Sequence, residues 1–312
     1  MRILAWIVIG LVIIIFVGLL AYLILGAILF HLSLGRKELK KRVRKNNLKQ
    51  NLEKYQIDLC WWDNFDFKRV EINSFDGLKL VGHYLDQKSD LTILLVHGYS
   101  ANYKEMQKYA KFFYQKGYNL LCVENRAHGD SEGECVGMGY LDKFDLKNWI
   151  DFLNESEKKK IILFGLSMGA SAVCAVSGEN LPNNVVGIIA DSAFDDVEKQ
   201  IKYILRKAGP LKNLLFKVLK SYTKKRYEFN LSDAKFTKAV KNTKIPILYF
   251  HGKADKYVLP ECSENLYNAT PENLRELVLV DEADHAMSYV VLGNMYERKI
   301  NKFFSKFKII GE

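Results

Sequence analysis

The hydrophobic positions of this chain fall into two regimes. From Ile3 to Phe30 they run on without one charged residue, and at 1.5 Å per helical residue that run exceeds the roughly 30 Å hydrocarbon core of a bilayer. Downstream, short apolar runs alternate with amphipathic stretches. The runs Thr92–His97, Tyr118–Glu124, Ile161–Gly165, Val185–Asp191, Ile247–His251 and Leu277–Val280 read as strands, with His83 in an earlier one. Between them, the spacing predicts helices over Asn102–Lys116, Lys143–Asn154, from Met168, near Glu261–Ala269, and over Val290–Phe307. Continuous apolar strands alternating with helices predict an α/β fold, a mostly parallel doubly wound sheet covered on both faces. One interval breaks the alternation. Between Asp191 and Ile247, some fifty residues of helical character stand where one crossover helix is expected, so about 195–244 reads as a small helical lid.

This pattern divides the chain into an anchor (1–35), a basic stem and aromatic collar (36–66) and one catalytic domain (67–312). The competing reading of the N-terminal run is a cleaved signal peptide. Against it, the run is about twice the usual apolar length of such a peptide and no clear cleavage site follows. Charge adds orientation. Arg36, Lys37, Lys40, Lys41, Arg42, Arg44, Lys45 and Lys49 follow the run against the single acid Glu38, whereas only Arg2 precedes it. The positive-inside rule then puts the catalytic domain in the cytoplasm.

The net charge of +10 would suggest nucleic acid if it were spread over one face. It is instead concentrated in that stem and in Lys199–Arg226, where ten basic residues meet no acid. The rest of the chain is net acidic, so no nucleic-acid partner is expected. Five widely spaced cysteines with no CxxC pair read as buried free thiols.

The chemistry centres on Gly165-Leu166-Ser167-Met168-Gly169, which follows an apolar strand and opens a helix rich in small residues. A nucleophile on a sharp strand-to-helix turn adopts strained backbone and leaves no room for side chains two positions to either side. The serine needs a base and a group to orient that base. Of six histidines, His97, His128, His251 and His285 lie in loops beyond strand ends, where sites collect in open α/β sheets. For a nucleophile on such a turn, chain order runs nucleophile, acid, histidine. This selects His285 as base and Asp255 as acid, in preference to Asp281, Glu282 and Asp284 beside His285. Backbone N–H groups of Met168 and Tyr99 are the expected oxyanion donors, with a loop-ordering role for His97. No phosphate-binding glycine motif or metal-ligand cluster is present, so neither a cofactor nor a metal is expected.

Together, HGY (97–99), ENRAHGDSEG (124–133), GLSMGA (165–170), DSAF (191–194), IPILYFHGKAD (245–255) and EADHA (282–286) resemble the α/β-hydrolase superfamily. More narrowly, they are similar to its bacterial serine-aminopeptidase-like and prolyl-oligopeptidase-like branch, which includes membrane-anchored members. The resemblance covers roughly residues 70–308 and implies the same Ser167, Asp255, His285 set, with the Arg126-to-Gly129 loop shaping the rim of the site. The expected activity is hydrolysis of a carboxylic ester of acyl or lipid-like character near a membrane. A peptidase or amidase of the same fold and a catalytically silent membrane scaffold are the alternatives.

The lid admits two readings. Its apolar positions, divided by Gly209-Pro210 into two short amphipathic helices, cover an acyl pocket, or its basic face also rests on anionic lipid.

Overall fold

The computed structural model describes residues 2–36, 61–156 and 159–310; Lys37 to Lys49 of the stem, the first part of the collar and Cys60 lie outside the described residues. Eight strands form one sheet: β1 (Lys68–Asn73), β2 (Lys79–Leu85), β3 (Leu91–Val96), β4 (Asn119–Val123), β5 (Lys160–Leu166), β6 (Val185–Asp191), β7 (Ile247–Gly252) and β8 (Arg275–Val280), in the order β1-β2-β4-β3-β5-β6-β7-β8. From β4 to β8 every pairing is parallel, and β1 and β2 join antiparallel at one edge. The middle strands β3 and β4 are buried at every position, as a sheet with two covered faces requires. The edge strand β1 alternates exposed and half-buried residues, and its polar composition kept it out of the sequence-based strand set.

Helices cover both faces: α1 (Arg2–Ser33), α2 (Gln107–Gln115), α3 (Asp142–Ser156), α4 (Met168–Val176), α5 (Val197–Ile204), α6 (Lys212–Tyr227), α7 (Phe236–Lys241), α8 (Glu261–Ala269), α9 (Ser288–Leu292) and α10 (Asn294–Lys306). Two expected helices are subdivided. The one expected over Asn102–Lys116 opens with a 3-10 turn, Tyr103–Met106, capped by the Asn102 side chain. The final one breaks at Gly293, whose φ of 50° lies in the left-handed region that glycine tolerates. Between β6 and β7, α7 packs on α4 and α8 and serves as the crossover helix. The surplus is therefore α5, the 3-10 segment Leu205–Leu211 and α6.

Two clusters of buried apolar residues lie on the two sides of the sheet. Trp61 and Trp62 belong to one of them, with Trp61 packed edge-on against Tyr114 of α2, and Trp62 Nε1 donates to Lys104 O at 2.8 Å. The other cluster includes Phe30 and Leu34, so the end of α1 belongs to the folded domain. The anchor, read from hydropathy as residues 1–35 ahead of the stem, thus includes last turns that already pack on the domain. No described residue from Arg2 to Leu25 is buried, and α1 is long and apolar enough to cross a membrane.

Candidate active site

Ser167 sits between the end of β5 and the start of α4 with φ 54° and ψ −114°, a left-handed conformation that costs a non-glycine residue energy. The two flanking glycines make the turn possible. A Cβ on Gly165 would lie 2.3 Å from Gly169 O, and one on Gly169 would lie 2.2 Å from Val96 O. No side chain fits at either place. The turn is pinned by Ser167 N donating to Asp191 O at 2.8 Å.

The structure brings Ser167, His285 and Asp255 into one hydrogen-bonded chain. Ser167 Oγ is 2.9 Å from His285 Nε2, and His285 Nδ1 is 2.6 Å from Asp255 Oδ2. Asp255, which is 2% exposed, lies in the turn leaving β7. Its Oδ1 accepts from Tyr257 N at 2.8 Å and Val258 N at 2.9 Å. Burial alone would raise its pKa. The hydrogen bonds from His251 and His285 outweigh that effect and hold the carboxyl well below the usual carboxylate range. Asp281 instead pairs with Lys253 at 2.8 Å, and Asp284 caps the backbone N–H of His285. Tyr257 stands over the His285 ring with centroids 5.0 Å apart.

Tyr99 and Met168 line the same cavity as Ser167. The Tyr99 loop comes close to the serine: a Cβ on Gly98 would be 3.3 Å from Ser167 Cβ. His97 orders this loop as expected. Its Nδ1–H donates to Gly98 O at 2.8 Å, and its Nε2 accepts from Asn125 N at 3.1 Å. His128 steadies the next residue, accepting from Ser100 N at 3.3 Å and donating to Arg126 O at 2.9 Å. Burial pushes His97 down to about 3 and His128 to about 4, so both stay neutral near pH 7 and keep these roles. Arg126, 3% exposed, holds the rim loop through Asp145 at 2.6 Å and Asp76 at 2.9 Å.

Three supporting residues carry no role in the sequence reading, although His251 is one of its four loop histidines. His251 Nε2–H is shared between Asp255 Oδ2 at 3.2 Å and Val258 O at 3.0 Å, and its Nδ1 faces Ser263 Oγ at 2.6 Å. Asp191, fully buried at the end of β6, accepts from Ser192, Ser288 and Tyr296 hydroxyls at 3.0–3.1 Å. Lys108 Nζ donates to Ala286 O at 3.2 Å, beside His285. Only the DSAF and HGKAD runs hinted at the first two.

The cavity has a volume of about 340 Å³. Its wall is almost wholly apolar and includes Ile201, Leu205, Leu215 and Leu219 of the lid region, and none of the described residues lining it carries a carboxylate.

The serine aminopeptidase S33 family model matches residues 87–243. The uncharacterized protein YqkD of Bacillus subtilis is 25% identical over 91% of this chain and 93% of its own length. The esterase Pf2001 of Pyrococcus furiosus superposes with a TM-score of 0.63 at 26% identity, covering 78% of this chain and 93% of that one. The esterase EaEST of Exiguobacterium antarcticum shares the fold at a TM-score of 0.55 and 19% identity, over 77% of this chain and all of that one. The matched segment spans half of the chain and contains both the Tyr99 loop and the Ser167 turn. This chain therefore belongs to the serine aminopeptidase S33 family and is an α/β-hydrolase.

Proposed function

We propose that this protein is a membrane-anchored serine hydrolase that cleaves carboxylic esters through an acyl-enzyme. The observation that carries the reading is the Ser167–His285–Asp255 hydrogen-bonded chain opening on an apolar cavity. Ser167 Oγ attacks the ester carbonyl while His285 Nε2 takes its proton, and Asp255 holds the Nδ1–H and balances the imidazolium. The tetrahedral oxyanion is held by the backbone N–H groups of Tyr99 and Met168. His285 returns the proton to the departing alcohol. Water, deprotonated by His285 in turn, then attacks the acyl-enzyme and releases the acid. An apolar wall without a carboxylate favours an acyl chain over a charged substrate amino terminus, so ester cleavage is preferred to aminopeptidase action.

The test is Ser167→Ala in the full chain. It should abolish fluorophosphonate labelling and lower ester turnover by about 10⁶-fold, the scale seen when such a nucleophile is removed. Labelling at the wild-type rate would overturn the assignment.

The catalytic domain faces the cytoplasm, a reading supported by the excess of Lys and Arg after the apolar run. External protease added to intact cells should leave the domain whole, and rapid cleavage would reverse the topology. Retention of α1 as an anchor, not as a cleaved leader, is supported by its last turns packing into the domain core.

A further inference from the structure

Part of the wall of the Ser167 cavity comes from the helix that precedes the domain. Leu29, Leu32 and Ser33 at the end of α1, and Leu34 just past it, line it together with lid residues. This end of the helix is docked, not loosely apposed. Gly26 and Phe30 are buried, and a Cβ on Gly26 would come within 2.9 Å of the Tyr222 ring on α6. Phe30 stacks on Tyr227 with centroids 4.6 Å apart. Just beyond, Val136 N donates to Leu34 O at 2.9 Å, and the Arg36 guanidinium is held by the backbone oxygens of Ser131, Gly133 and Gly129. The Tyr99 hydroxyl donates to Ser33 O. The loop proposed to hold the oxyanion is thereby tied to α1.

The same helix sets the height of the cavity relative to a bilayer. Its stretch without a buried residue, Arg2 to Leu25, is about 36 Å long at 1.5 Å per residue, enough to cross a hydrocarbon core of roughly 30 Å. Packing starts at Gly26, so Leu29 and Leu32 lie about 5 and 9 Å further along the axis. Besides Tyr257, which is 45% exposed beside His285, two residues line the cavity and are about half exposed: Leu32 at 51% on α1 and Ile204 at 44% in the lid. They mark a mouth between helix and lid, close to where the helix leaves the bilayer. A volume of about 340 Å³ is at the small end of ligand sites, roughly 300–1,000 Å³, which suits one acyl chain and not two.

We propose that the last turns of α1 are a specificity-determining wall of the acyl site, and that the substrate is a membrane-partitioned ester that inserts a single acyl chain between α1 and the lid. This rests on the serine-hydrolase reading and adds a role for the anchor that tethering does not require.

The experiment uses the full chain in nanodiscs and compares kcat/KM for p-nitrophenyl acetate, butyrate, octanoate and laurate. Leu32→Trp should fill the mouth and lower the octanoate-to-acetate ratio by about tenfold, the scale of a steric change of a methylene or two in an apolar pocket. Leu29→Ala should widen the site and move the preferred length toward laurate. Opposite shifts from two variants cannot come from partial unfolding, which lowers all four esters together. Leu20→Trp, within the exposed part of α1, should leave the ratio unchanged. Ser167-dependent turnover with the same chain-length profile in wild type, Leu32→Trp and Leu29→Ala would overturn the wall and leave the hydrolase reading standing. Absence of Ser167-dependent turnover on every ester would overturn both.

Discussion

The cavity has two sides built by different physics. On the side of the strand ends, backbone does most of the work: a strained serine, two glycines that admit no Cβ, and a carboxylate fed by two N–H groups and two imidazoles. On the helical side, the end of α1 and the lid present apolar side chains with few polar constraints. Geometry on the first side is fixed to within a hydrogen bond, which proton transfer requires. The second side needs only volume and hydrophobicity, and repacking there changes which chain fits without touching the reacting atoms. Substitutions on the first side should therefore act on turnover, and those on the second on selectivity and stability.

The sharpest break in that comparison is Asp255→Asn. An amide in place of the carboxylate favours the wrong His285 tautomer and should lower kcat by about 10⁴-fold, as in a comparable triad. Asp284→Asn, which removes only a cap on the His285 backbone N–H, should stay near wild type. Steady-state kinetics on a short ester checks both, and a severe Asp284→Asn with a mild Asp255→Asn would reassign the acid.

The two sides also differed in how far sequence revealed them. Gly165, Ser167 and Gly169 are contiguous and their exclusion of side chains is local, so the turn could be read directly. Asp255 and His285 followed from chain order, because strand ends on a parallel sheet gather residues from a known edge. His251 escaped, although HGKAD contains it. Its partners Asp255, Val258 and Ser263 meet it through the turn after β7, and a lone histidine at a strand end has no spacing to betray that. The hairpin edge β1 was missed because its Lys-Arg-Val-Glu-Ile-Asn run is too polar to register as a covered strand. The α1 wall left no trace. Its contacts join residues 26–34 to Tyr222 and Tyr227 across almost two hundred positions, and Leu29 looks the same in a plain membrane span as on a pocket wall.

An intermediate effect should come from Phe30→Ala. Phe30 is fully buried against Tyr222 and Tyr227, and its truncation should cost about 3–5 kcal/mol of stability, as for buried aromatic residues generally. Phe16→Ala, exposed on the free part of the helix, should cost almost nothing in thermal unfolding of the detergent-solubilised chain. Equal melting temperatures for the two variants would mean that the end of α1 is not part of the folding unit, and the contrast between the two sides would lose its helical half.

The smallest effect concerns the outer face of the lid. Leu211 and Leu214 are 56% and 54% exposed and are interspersed with the exposed Arg206, Lys207 and Lys212. By contrast, Lys199 and Lys202 are engaged with Asp195 and Glu198. We propose that this mixed face rests on anionic lipid while the inner face covers the acyl cavity, since α1 already holds the lid within reach of the bilayer. Each basic residue near such a surface is worth about 1 kcal/mol, or roughly fivefold in occupancy. Acetylation of Lys207 and Lys212 by an N-hydroxysuccinimide ester, followed by mass spectrometry, should then be several-fold slower in nanodiscs containing anionic lipid than in neutral ones. The difference should shrink as salt rises past about 0.15 M, where the screening length falls to about 8 Å. Lys299 and Lys302, exposed on α10 across the sheet from the end of α1, provide an internal reference for changes in reagent access. Equal acetylation rates in both lipids would leave the lid as a cover for the cavity alone, with its charges simply solvated.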